Sequence, residues 1–117
     1  MKALMTSYFA SRKHATLPAV SIASYAPKWW KPARGRITEP SLVWRHFRTR
    51  KAFEGDWRED YRDQLAGMLE DGSLQAALDR MPEGAVMLCW EKDPATCHRT
   101  VLANFLTSHG LADVREL

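Results

Sequence analysis

The chain has 117 residues, of which 45% are hydrophobic and 26% charged, with two cysteines and a net charge of +3. That size and balance fit one globular domain over residues 1–117 and exclude wholesale disorder, and two cysteines cannot build a disulfide framework. No stretch approaches the ~20 apolar residues of a membrane span, and the N-terminus has too short an apolar run for a signal peptide, so the expectation is an intracellular, cytoplasmic protein with no membrane partner.

In chain order, Ala3–Phe9 is a short apolar run that predicts a strand, and Ser11–Thr16 is a polar loop. Ala19–Tyr25 alternates small or polar with apolar residues, predicting a second strand that Pro27 ends. Residues 26–40 interleave prolines, cations and the pair Trp29-Trp30, which predicts irregular chain. Pro40 suits the first turn of a helix over Ser41–Phe53. The clearest helix is Asp56–Glu70, where Trp57, Tyr61, Leu65, Met68 and Leu69 recur at helical spacing and acids crowd the positive end of the dipole. Gly72 stops it, Ser73 caps a shorter helix through Met81, and Pro82 and Gly84 end that one.

Ala85–Trp90 is a continuous apolar run between turn signals, the pattern of a strand buried on both faces in a parallel sheet. Glu91-Lys92-Asp93 is a polar turn, and Asp93-Pro94 reads as a cap followed by the first turn of a helix bearing Cys97, Val101, Phe105 and Leu106. Gly110 ends the helix, and Asp113–Leu117 supplies a last strand. Strand, turn, helix and strand make a βαβ unit, so the fold class is α/β, with a mainly parallel small sheet and helices packed on it.

In open α/β sheets ligands bind beyond the carboxyl ends of the strands, which places the candidate site at Cys89–Arg99. The helix start offers free amides for an anion near residues 95–99, completed by a bidentate Arg99. Cys97 is a candidate nucleophile, with its thiolate favoured by the dipole and by His98 or Arg99. Glu91 is a candidate base or an orienter of Arg99, and His98 a proton donor or acceptor. Thr6, Ser7 and Tyr8 at the end of the first strand, with Cys89 and Trp29, are expected to close the ligand pocket.

The structural alternatives are concrete. Cys89 suits a small core position, Cys97 lies on the buried stripe, a Glu91–Arg99 pair would clasp the turn, and His98 would sit on the helix surface. Seven residues separate the cysteines and no Cys-x-x-Cys occurs, so the sequence calls for no metal and no cofactor. A bridge between the cysteines is conceivable, but a reducing cytosol favours two thiols. No P-loop and no GxGxxG is present, and a phosphatase-type loop from Cys89 fails because position 95 is alanine.

The run Val86–Arg99, with Cys89, Glu91, Cys97, His98 and Arg99 in place, resembles the signature of the domain-of-unknown-function 488 family: an apolar strand ending in Cys-x-Glu, an Asp-Pro turn, then Cys-His-Arg opening a helix. Ser21-Ile22-Ala23 and Ala26–Trp30 resemble the early region of one branch, so the likeness spans residues 3 to about 107. The resemblance implies an α/β fold and a bacterial-type intracellular protein, and supplies no reaction.

Charge is divided unevenly. Residues 1–51 balance at +10 and residues 52–117 at −7. Arg34, Arg36, Arg45, Arg48, Arg50 and Lys51 lie near Trp29, Trp30 and Trp44, the cation-plus-ring composition of single-strand binding, while mutual attraction of the two halves is the plain alternative. Three functions follow: binding or transforming a phosphate-bearing small molecule or nucleotide at the 89–99 turn; non-catalytic nucleic-acid binding through residues 28–51; or thiol redox or metal response through Cys89 and Cys97.

Overall fold

The computed structural model describes residues 1–31, 36–47 and 54–117. Among the described residues five strands, β1 (Lys2–Tyr8), β2 (Ala19–Ser21), β3 (Arg36–Thr38), β4 (Val86–Cys89) and β5 (Ala112–Glu116), form one sheet in the order β3-β2-β4-β1-β5. Every pairing is parallel, as the buried run at β4 predicts. The described α-helices, α1 (Trp57–Asp71), α2 (Ser73–Asp79) and α3 (His98–Ser108), return the chain between strands.

Side chains alternate across a strand, and here the two faces meet different covers. Leu4, Val20, Met87 and Cys89 face the helices and join Tyr61, Leu65, Leu74, Leu102 and Leu106 in the main core. Val86, Leu88 and Ala19 face the other way, under a cover made of loop residues Phe9, Leu17, Ala23 and Trp30. His14 anchors one of those loops, its buried ring nitrogen 3.2 Å from the carbonyls of both Tyr8 and Phe9.

Local chemistry explains the helices. Asp56 caps α1 by accepting from the Arg58 amide at 3.0 Å, and Glu59 and Asp60 sit in the first turn. Gly72, at φ 86°, takes the left-handed conformation that ends α1 and at once starts α2, a place where any side chain would be strained.

Two expectations need correction. The helix over Ser41–Phe53 is not formed where the chain is described: Pro40–Leu42 is a single 3-10 turn and Val43 is extended. Residues 48–53 lie outside the described residues. The irregular reading of 26–40 missed β3, a three-residue edge strand at Arg36–Thr38.

Candidate functional site

Chain direction defines a crevice. The connection from β2 leads outward to β3, and the connection from β4 leads the opposite way to β5, so the carboxyl ends of β2 and β4 diverge. Cys89 is the last residue of β4, and Ile22 directly follows β2.

The segment after β4 is built in three pieces. Asp93 accepts from the Ala95 amide at 3.0 Å and opens a 3-10 turn at Pro94–Thr96. Cys97 then breaks out into extended backbone (φ −109°, ψ 143°) before α3 begins at His98. That break turns Cys97 back over the end of β4, where its sulfur meets that of Cys89 in a disulfide, with the Cα atoms 7.1 Å apart. The expectation of two separate thiols is corrected here, because the intervening residues fold as a turn rather than as one continuous helix. Both cysteines are buried.

The same break changes the anion reading. The amides of Ala95, Thr96 and Cys97 donate within the turn, to the Asp93 side chain, the Asp93 carbonyl and the Pro94 carbonyl, so they form no open cradle. Arg99 is fully buried and all five of its N–H groups are used. Nε and Nη2 hold the Glu116 carboxylate at 3.1 and 2.9 Å, Nη1 donates to Cys89 Sγ at 3.1 Å and to the Glu91 carbonyl, and Nη2 also donates to the Lys92 carbonyl at 3.2 Å. Its guanidinium lies 5.9 Å from the Tyr8 ring centroid. Thr6 donates to Glu116 at 2.6 Å and so completes the clasp from β1.

His98 is buried rather than on the helix surface, its ring edge-on to Tyr61. Its Nε2 lies 2.9 Å from the Ile22 carbonyl, an acceptor only, so Nε2 carries the proton and Nδ1 presents a lone pair. Nδ1 faces Cys97 Sγ at 3.9 Å. Burial pushes His98 below its ordinary value; the Ile22 carbonyl and the Glu91 charge oppose this, and the Arg99 charge adds to it. Glu91 itself is half-buried in the turn.

Other candidates are placed elsewhere. Ser7 projects to the loop-covered face, its buried hydroxyl without a hydrogen-bond partner among the described residues, as is that of Ser21. Trp29 does not close the turn: it is exposed and lines a cleft with Pro18 and Arg36, at the amino ends of β2 and β3, the opposite edge of the sheet. Trp30 and Trp44 are core residues, and Arg45 lies 3.5 Å from Asp60. Arg34, Arg48, Arg50 and Lys51 fall outside the described residues.

Glu116, which sequence reasoning missed, is the carboxylate of the clasp; its role depends on Thr6 pairing with Glu116 across β1 and β5, a register no local pattern announces. Also unforeseen is a cleft of about 600 Å³ between α1 and α3, where Cys97 is lined up with Arg58, Arg62, Thr100, Asn104 and His109. Arg58 reaches across it to donate to the Ala95 carbonyl. The described residues hold no helix long and apolar enough to cross a membrane.

No curated protein and no solved structure matches the chain. The model of the family described as "Domain of unknown function DUF488" matches residues 29–106, which include the whole Cys89–Arg99 segment and leave out β1 and β2. The match covers about two-thirds of the sequence, and the chain belongs to this family.

Proposed function

We propose that Cys89 and Cys97 form a redox-active dithiol centre, exchanging with an external thiol or disulfide through Cys97. The observation that carries this reading is the unequal setting of the two sulfurs. Both cysteines are buried, at 1% exposure each; Cys97 is among the residues that line the α1–α3 cleft and Cys89 is not, and the Cys89 sulfur accepts an N–H from Arg99.

That asymmetry assigns the two roles. An incoming thiolate attacks Cys97 Sγ, a mixed disulfide forms there, and Cys89 leaves as a thiolate. The guanidinium hydrogen bond stabilises the departing charge, and a better-stabilised leaving thiolate departs faster. A second thiolate releases Cys97, so each turnover moves two electrons and two protons from an external dithiol to the Cys89–Cys97 bond. His98, held neutral by burial with Nδ1 toward Cys97, accepts the thiol proton in the reverse direction.

Trapping tests the reading. Cys89→Ser should accumulate a mixed disulfide at Cys97 with a small aromatic disulfide, seen as a mass adduct on the native protein. Cys97→Ser should not. Cysteines that stay unreactive in the folded protein, reduced or oxidised, would refute it.

A second reading is favoured by the cleft lining. Arg58 and Arg62 line it with Asp63 as the single acid among the described lining residues, which suits an anionic, phosphate-bearing partner better than the turn amides do. Inorganic pyrophosphate should bind there with an affinity that falls in Arg62→Ala and with added salt; binding unaffected by both changes would exclude the cleft. Nucleic-acid binding through residues 28–51 receives less support, since of Trp29, Trp30 and Trp44 only Trp29 is exposed for stacking.

A further inference from the structure

Beyond electron exchange, we infer that the reduced site binds one soft divalent metal ion, of the zinc type, through Cys89 Sγ, Cys97 Sγ and His98 Nδ1. The inference rests on the reading of the same pair as a reducible dithiol, because the oxidised bridge has no thiolate to offer.

Three observations converge on it. The ligand atoms of Cys89, Cys97 and His98 all lie within 4.8 Å of one another, and all three residues are buried. Sulfur and imidazole ligands on a tetrahedral zinc stand about 3.6 Å apart, given Zn–S of ~2.3 Å and Zn–N of ~2.05 Å. The 3.9 Å between Cys97 Sγ and His98 Nδ1 is close to that separation, and once the bridge is reduced the two sulfurs move from bonding distance to about 3.8 Å apart, which opens the centre of the triangle. The cysteine Cα atoms stand 7.1 Å apart, which leaves room for the sulfurs to separate around an ion once the bridge is opened.

The surroundings are those of a metal site. A ligating histidine characteristically donates its other ring N–H to a backbone carbonyl or carboxylate, and His98 Nε2 does so to Ile22. A ligating thiolate is steadied by an outer donor, and Arg99 Nη1 supplies one to Cys89. Two thiolates and a neutral imidazole balance the charge of a divalent ion, so the buried cluster closes electrically neutral. Among the described residues the cluster has three ligands, leaving the fourth tetrahedral position to water or to a group entering from the cleft. Three protein ligands with one open position are the pattern of reactive rather than purely structural zinc.

Chemistry balances across the two states. Reduction by an external dithiol breaks the Cys89–Cys97 bond with two electrons and two protons, and ion binding then expels the two thiol protons. Oxidation reverses both steps and releases the ion.

The test uses the full chain, reduced with a phosphine and titrated with Co²⁺ without oxygen. One equivalent should produce a thiolate-to-cobalt charge-transfer absorption with tetrahedral visible bands, two protons should be released into weak buffer, and Zn²⁺ should displace the cobalt. Cys89→Ser and Cys97→Ser should each abolish the charge-transfer band, and His98→Ala, which removes a direct ligand, should weaken binding by at least the roughly 10–100-fold typical of losing an outer-shell partner. If a variant fails to fold, alkylation of the unaltered protein decides: one equivalent of Zn²⁺ should protect both cysteines together. No band and no protection in the reduced, folded protein overturns the metal inference, as does a band unchanged in His98→Ala. Exchange at Cys97 in chelator-treated protein is measured separately, so a protein that exchanges but binds no metal keeps the dithiol reading alone, and one that binds metal but never exchanges loses that reading.

Discussion

Arg99→Met is the sharpest test of how the turn is held. Methionine keeps an unbranched apolar stem but removes five N–H donors from a fully buried position. The charge-assisted pair with Glu116 is worth about 1.5–3 kcal/mol, discounted because Glu116 is half-exposed and regains water. The carbonyls of Glu91 and Lys92 lose their donors at about 1 kcal/mol each. Together the loss is about 3–5 kcal/mol. Against the 5–15 kcal/mol typical of whole domains, that is a large fraction. Urea unfolding followed by circular dichroism should show the midpoint fall by about 2–3 M at a slope of ~1.5 kcal/mol per M. Arg99→Lys should lose most of the same stability, since one ammonium cannot reproduce a planar fork with five donors. An Arg99→Met midpoint within 0.5 M of the unaltered protein would refute the clasp.

Other outcomes follow from the same geometry. Opening the Cys89–Cys97 bond in metal-free protein releases a closed loop with a sequence separation of 8, which should cost about 2.5 kcal/mol and lower Tm by roughly 10 °C in calorimetry. Tyr61→Phe removes the buried hydroxyl that donates to the Leu42 carbonyl and should cost about 1–2 kcal/mol, read by chemical unfolding. Glu39 is held below its ordinary 4.5 mainly by the Arg80 hydrogen bonds, with burial opposing and Ser41 assisting. Its contribution should therefore be complete above about pH 4.5 and disappear as pH falls through the lower folded value. Glu39→Gln should flatten the stability-against-pH curve in that window, and an unchanged curve would refute the assignment.

What could be read from residues alone follows the physics of each element. β4 announced itself because a strand buried on both faces is apolar at every position, and α1 because its apolar residues recur at 3.6-residue spacing. β3 did not: three residues flanked by proline and glycine carry no usable period. Pro40 is an equally good start for a helix or for one 3-10 turn, and the choice falls to contacts far along the chain, where Glu39 meets Arg80 and Leu42 meets Tyr61. The segment from Cys89 to Arg99 was legible as a dense cluster between strand and helix. Its interior was not, because the extended kink at Cys97 decides which groups meet and Glu116 arrives from another strand.

That last connection gives an outermost strand control over a buried centre. Among the described residues β5 lies at the rim of the sheet, paired to β1 alone, and carries the carboxylate that holds the guanidinium. Peeling an edge strand is among the least costly excursions of a sheet. Each such opening would leave the guanidinium without its counter-charge while its hydrogen bonds to the cysteine sulfur and the turn carbonyls stayed in place.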